Sequence, residues 1–318
     1  MRIGSFEIGG VVRLGAFEGD HVIDLNAAYA DLLKSRGAHY PQRQADAELP
    51  SSVQTLIERG EGCLILARYA VERAREAGFD AAPFVHAQSA IRFRASHRPP
   101  KLICIGGNYE DYRKLIGLPP SPVPLMFLKS PNAVVGHMEA VRIPTGYGVF
   151  YHEWEFSCVI SRPCKGISRD AVNDHIFGYT IVSDITGRSL EATERELQPL
   201  GKNMDTFAPM GPWIVTRDEM PKDLYSLRTT RRRNGVVECE SNTSNMRRSF
   251  EEIVAYVANF MTLEAGDVIT TATPPSGAFH PGDIIEADIE GIGILTNPVE
   301  AVDIDTQYAR DIQLKDIV

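Results

Sequence analysis

Glu153 and Glu155 stand one residue apart inside the apolar run Phe150-Tyr151-His152-Glu153-Trp154-Glu155-Phe156-Ser157-Cys158-Val159-Ile160. Side chains alternate along a strand, so Trp154, Phe156, Cys158 and Ile160 take one face while the two carboxylates share the other. Like charges on one face repel and need water or a cation between them. A hard divalent ion, Mg²⁺ or Mn²⁺, suits oxygen ligands and keeps waters that a substrate can displace. Asp184, at the end of the apolar stretch Ile176 to Asp184, is the leading third ligand. Three carboxylates leave about three of six octahedral positions open, which describes a catalytic site rather than a closed structural one. Asp111 and Tyr112 are candidates to move protons, although an unperturbed tyrosine pKa of ~10 matches neutral pH poorly. His137, after Val134-Val135-Gly136, is placed to line the pocket, whereas His152 points to the face opposite its glutamate neighbour.

These residues need a sheet to hold them. Residues 1 to about 24 alternate in short β-like runs with Gly9-Gly10 and Gly19-Asp20 as turns, predicting a meander. Asn26 is read as the cap of a helix through Leu33, Ser52 to Gly78 as a helical stretch, and the polar segment His39 to Pro50 as a loop. Arg98-Pro99-Pro100 reads as a linker, placing a boundary between a small N-terminal α+β domain, 1–96, and a β-rich catalytic domain, 97–318. The strand Lys101 to Ile105 runs into Gly106-Gly107-Asn108-Tyr109, and the short helix Glu110 to Ile116, bounded by Pro119-Pro120, is a candidate lid. Ser249 and Glu252 form a capping box at the start of an amphipathic helix, after which strands return through Val302. Arg231-Arg232-Arg233, before the Asn234-Gly235 turn, reads as a solvated hairpin end.

The totals narrow the function classes. A formal net charge of -9 argues against a nucleic-acid surface or an anionic membrane as partner, though a bound cation can still attract an anionic substrate. Five cysteines without C-x-x-C spacing fit reduced thiols. The start has no apolar signal core and no run reaches the ~18 to 20 residues of a membrane span, so a cytoplasmic protein is expected.

A series of phrases in order resembles the fumarylacetoacetate hydrolase superfamily, of acylpyruvate-hydrolase type, over about residues 100 to 302. They are Cys104 to Tyr109, Phe127-Leu128-Lys129, Tyr151 to Glu155, Gly178-Tyr179 leading to Asp184-Ile185-Thr186-Gly187-Arg188, Gly201 to Pro212, Asn242 to Met246, and Leu263 to Pro274. The resemblance implies an α+β fold with a mixed β-sandwich roll, a homodimer, and Mg²⁺ or Mn²⁺ on Glu153, Glu155 and Asp184. It also implies that Lys202 and Thr273 face a bound 2-oxo acid, with Arg188, Glu191 and Tyr109 beside them. A 2-oxo carboxylate can chelate a cation through its keto and carboxylate oxygens, and Lys202 would add positive charge near a developing enolate.

The chain departs from the family pattern at the lid, where Tyr112 and Leu115 replace the histidine and glutamate that activate water. Glu191 stands for a glutamine and Ala272 for a glycine. The expected reaction is hydrolytic carbon–carbon cleavage of a 2-oxo or 1,3-dicarbonyl acid, as in aromatic catabolism. The alternatives are decarboxylation or keto–enol isomerisation on the same metal site, and a non-catalytic protein that only binds metal and ligand.

Overall fold

The structure is a computed structural model that describes residues 1–194 and 199–304; residues 195–198 and 305–318 of the expected catalytic domain lie outside it. Its main sheet runs, strand by strand, Val85–Ala87, His21–Asp24, Val11–Glu18, Arg2–Ile8, Ala208–Thr216, Ile176–Gly187, Phe150–Ile160, Val268–Thr270, Leu102–Gly106 and Leu125–Lys129. The meander expected at the N-terminus is therefore the outer part of the same sheet. Arg2 pairs with Val215 and Ile3 with Ile214, so the hydrogen-bonded ladder crosses the boundary drawn at residue 97. A second sheet orders Val236–Asn242, Arg228–Arg233, Ile284–Ile289, Gly293–Val302 and Val141–Pro144.

The alternation in the acidic strand decides which way it faces. Trp154, Phe156, Cys158 and Ile160 are buried together with Ala287, Ile289 and Leu295 of the second sheet and with the helix Phe250–Phe260. Phe156 meets Phe250 edge-on at 5.0 Å between ring centres. That helix starts at the expected capping box, with Ser249 Oγ accepting from the Glu252 N–H and Glu252 accepting from the Ser249 N–H. The acids are thereby turned away from the sandwich core.

Several local expectations change. The first helix, Leu25–Ser35, is capped by Asp24, which accepts from the Ala27 N–H, and Asn26 lies inside it. Gly60, at φ +67°, splits the next helical stretch into Val53–Arg59 and Glu61–Ala77. The polar segment read as a loop holds a helix, Pro41–Glu48, because proline fits its first turn and the alanines, glutamines and glutamate that follow favour helix. Arg231 is not solvated: it is 7 % exposed, lies over the Trp154 ring, and donates to Glu238 at 3.0 Å. Burial lowers its pKa from the ordinary value.

Candidate active site

Register builds the acidic cluster. In the antiparallel pair of Phe150–Ile160 and Ile176–Gly187, Glu153 lies directly opposite Asp184, and Glu155 lies two residues along on the same face. Directly opposed Cβ atoms sit about 5 Å apart, close enough for both carboxylates to reach one ion. All three are buried, and ligand oxygens from Glu153, Glu155 and Asp184 lie within 4.8 Å of one another.

On its other edge the acidic strand is paired with a strand twice, with a gap in the ladder between. Gly277–Phe279 pairs with Phe150 to His152, and Val268–Thr270 pairs with Ser157 to Val159. The chain between, 271–276, bows out beside Glu153 to Phe156, held by Thr271 Oγ1 donating to the Phe156 carbonyl at 2.8 Å. Ala272 turns it with φ +69°, in the left-handed region that favours glycine. This detour brings Thr273 into the cleft wall and Ser276 up to the lid.

Two ammonium groups converge on the acids. Lys202, on the helix Pro199–Asn203, donates to Glu153 Oε2 at 2.9 Å, Asp184 Oδ2 at 2.7 Å and Thr186 Oγ1 at 2.6 Å, which commits all three of its hydrogens. Burial alone would lower its pKa, but the charges of Asp184, Glu153 and Glu191 outweigh that and raise it. Lys129, fully buried at the end of the edge strand, donates to Asp184 Oδ1 at 2.6 Å and to the Ile185 carbonyl at 3.1 Å. Its role was not read from the sequence, although it closes the Phe127-Leu128-Lys129 phrase. Despite burial, Lys129 and Lys202 hold the Asp184 carboxyl below the ordinary range.

Neither ammonium bonds Glu155, and Lys202 and Thr270 only partly offset its burial. Its Oε2 is buried without a hydrogen-bond partner, and burial, with Asp184 and Glu153 beside it, pushes its pKa well up. An orphaned carboxylate oxygen among two further carboxylates is the donor set that a divalent cation fits.

Arg188 ties the lid to this cluster. One terminal nitrogen donates to Glu153 Oε1 at 2.6 Å and to the Tyr112 hydroxyl at 2.5 Å, and the other donates to Glu191 Oε2 at 2.8 Å. Tyr112, on the helix Glu110–Leu115, also has its hydroxyl 2.8 Å from Ser276 Oγ. Burial and Glu153 raise its pKa, so the phenol stays protonated. These groups line a cleft of about 750 Å³ with Glu153, Glu155, Asp184, Lys202, Glu191 and Thr273, and with an apolar side that includes Ile105, Leu118, Met126 and Phe127.

Other expected residues stand elsewhere. The Asp111 carboxylate accepts from Ser241 and Asn245 and from the Tyr112 N–H, which pins the lid helix from outside the cleft wall. Tyr109 is buried below the lid, bridging by its backbone to Met246, and does not line the cleft. Leu115 is 68 % exposed and points away. His137 accepts from the Thr296 N–H in a separate cleft beside Phe93 and Arg94. His152 keeps to the opposite face, where Nε2 meets Ser183 Oγ at 2.9 Å, and burial pushes its pKa down to about 3.

Residues 101–300 match the family model described as fumarylacetoacetate (FAA) hydrolase, C-terminal. The chain belongs to the fumarylacetoacetate hydrolase superfamily. A mitochondrial oxaloacetate tautomerase of Xenopus laevis is 32% identical over 292 residues, covering 89% of this chain and 83% of that protein. Among solved structures, 5-carboxymethyl-2-hydroxymuconate delta-isomerase from Mycobacterium smegmatis is similar at TM-score 0.71 and 27% identity, covering 95% of this chain and 100% of that one. Maleylpyruvate hydrolase from Sphingobium sp. SYK-6, in complex with manganese(II) and pyruvate, is similar at TM-score 0.72 and 25% identity, covering 95% and 99%. The superfamily thus includes hydrolases, isomerases and tautomerases on this sheet-rich α+β fold. Among the described residues, no helix is long and apolar enough to cross a membrane.

Proposed function

We propose that this protein is a divalent-metal-dependent tautomerase that interconverts the keto and enol forms of a small 2-oxo acid. The observation that carries this reading is the lid. Tyr112 accepts from Arg188, stands against Ser276 and is kept protonated, while Leu115 faces out, so the lid offers no group that takes a proton from water. Tautomerisation needs none, because the proton only moves between carbon and oxygen of one substrate.

Glu153, Glu155 and Asp184 would hold Mg²⁺ or Mn²⁺, and the bound ion would supply the Lewis acidity that makes negative charge at a keto oxygen cheaper. Lys202 and Arg188 stay cationic and add fixed positive charge where an enolate forms. The Tyr112 hydroxyl, oriented by Arg188, can donate toward that oxygen in place of Ser276. Leu118, Met126 and Phe127 give the cleft an apolar side, which would limit the water at a bound substrate's carbon. The likeness to an oxaloacetate tautomerase over most of the chain makes oxaloacetate the first substrate to test.

Hydrolytic carbon–carbon cleavage is supported by the match to the fumarylacetoacetate hydrolase family model and by the likeness to maleylpyruvate hydrolase. A panel of oxaloacetate and acylpyruvates with Mg²⁺ or Mn²⁺ separates the reactions: enol absorbance lost with no new compound marks a tautomerase. Two carbon fragments would restore the hydrolase reading, carbon dioxide would mark a decarboxylase, and no turnover of any compound would leave a binding protein. Activity that survives chelation and Glu153→Ala would sink the metal-centred reading. We take the working form to be a cytoplasmic homodimer, which light scattering checks for the oligomer.

A further inference from the structure

Glu191 is the one cleft carboxylate outside the metal triad, among the described residues. Its two oxygens are unlike. Oε2 accepts from Arg188 at 2.8 Å, three residues earlier on the same helix, which fixes the side chain. Oε1 lies 3.9 Å from Lys202 Nζ, too far for a hydrogen bond, and the three lysine hydrogens are already given to Glu153, Asp184 and Thr186. No hydrogen-bond donor among the described residues reaches Oε1. The approach is close because Gly201 lets the lysine helix pack on Glu191: a Cβ at Gly201 would stand 3.1 Å from Glu191 Cγ and 3.1 Å from the Gly187 carbonyl oxygen.

We infer that Glu191 Oε1 is the proton acceptor for the carbon next to the keto group, a role that rests on the tautomerase reading above. Oε1 takes the proton from C3. The C3–H electron pair becomes the C2=C3 double bond, and the carbonyl π pair moves onto the keto oxygen. Glu191 then returns the proton to that oxygen, so the carboxylate ends as it began and no co-reactant is consumed. Burial raises the Glu191 pKa against the opposing charges of Lys202 and Arg188, which makes its carboxylate a stronger base than an exposed one. A group that only held Arg188 would need a single acceptor oxygen, and Glu191, which lines the cleft, keeps a second that no donor among the described residues occupies.

Glu191→Gln tests this because the amide keeps an oxygen for Arg188 and loses only the basic one. Two measurements are made on wild type, Glu191→Gln and Glu191→Asp with Mn²⁺: oxaloacetate C3 deuterium uptake and enol decay on one side, and Mn²⁺ affinity by electron paramagnetic resonance titration on the other. The expected result is a loss of about 100-fold or more in kcat for Glu191→Gln, the usual worth of a general base. Partial recovery is expected in Glu191→Asp, with Mn²⁺ affinity unchanged in both. If the wild type is active and Glu191→Gln stays within about threefold of it, the inference fails and the tautomerase stands. Parallel loss of Mn²⁺ binding would instead make Glu191 part of the metal site and overturn its role as base. A wild type that binds Mn²⁺ but neither exchanges nor tautomerises would remove the tautomerase reading, and the base with it.

Discussion

Glu155 is the side chain whose state most depends on what occupies the cluster. Its unpartnered Oε2 faces two other carboxylates, so removing its charge relieves repulsion while removing a ligand. Glu155→Gln is expected to leave metal-free stability unchanged or raised, and to abolish the gain that the wild type shows with Mn²⁺. That gain should be on the order of 5 °C at a hundredfold excess over Kd, read by thermal melting with and without the ion. Tyr112→Phe is expected to keep Mn²⁺ affinity and lower kcat by about tenfold, the cost of one hydrogen bond to a developing charge. An unchanged kcat would exclude the hydroxyl from proton movement. The acidic pair was legible because strand alternation fixes which residues share a face, and Asp184 because it closes the apolar stretch that marks the neighbouring strand, although that strand runs on to Gly187. Lys129 and Ser276 were not, since one comes from the sheet edge and the other from a loop whose path depends on the whole sandwich.

The strands that present the cluster tolerate little change in thickness. In Ile176–Gly187, a Cβ at Gly178 would fall 2.3 Å from the Val215 carbonyl oxygen, a backbone atom that cannot step aside. Gly178→Ala should destabilise by about 3 kcal/mol in urea unfolding, the upper end of overpacking costs. Ala272 is the converse case. At φ +69° an alanine bears strain that glycine does not, so Ala272→Gly should be neutral or stabilising by about 0.5 kcal/mol, against the loss usual for alanine to glycine. The capping box and the amphipathic pattern made Phe250–Phe260 readable in sequence. Pro41–Glu48 was hidden because its helix shows a single buried residue, Ala45, and so carries no apolar period.

At the scale of the molecule, residues 1–96 are bound to the rest by more than packing: Arg2 and Ile3 pair with Val215 and Ile214, and Gln54 donates to the Ala265 carbonyl at 2.9 Å. Just past the boundary, His97 Nε2 donates to the next carbonyl, Gly266, at 2.7 Å. His97 is buried with Nδ1 unpartnered, so a second proton has no acceptor, and burial pushes its pKa from 6.5 down to about 4. The folded state therefore binds fewer protons than the unfolded one between those values. Stability is complete above pH 6.5, falls as pH drops toward 4, and should lose about 2 kcal/mol by pH 5 from this group alone. His97→Gln should flatten that slope in urea titrations at pH 7 and pH 5. A chain beginning at residue 97 would bare the edge of Ala208–Thr216 and is expected to elute as aggregate in size exclusion.

The same pairing sets a clock on biosynthesis. Arg2 finds its partner only when Val215 has been made. At about 5 to 20 residues per second, Arg2 and Ile3 wait on the order of 10 to 40 s with their outer backbone donors and acceptors bare, while Ser5 to Glu7 beside them can already pair with Arg92 to Arg94. During that interval the nascent chain is most open to capture by a neighbouring strand, and it is there that a chaperone would have most to gain by holding it.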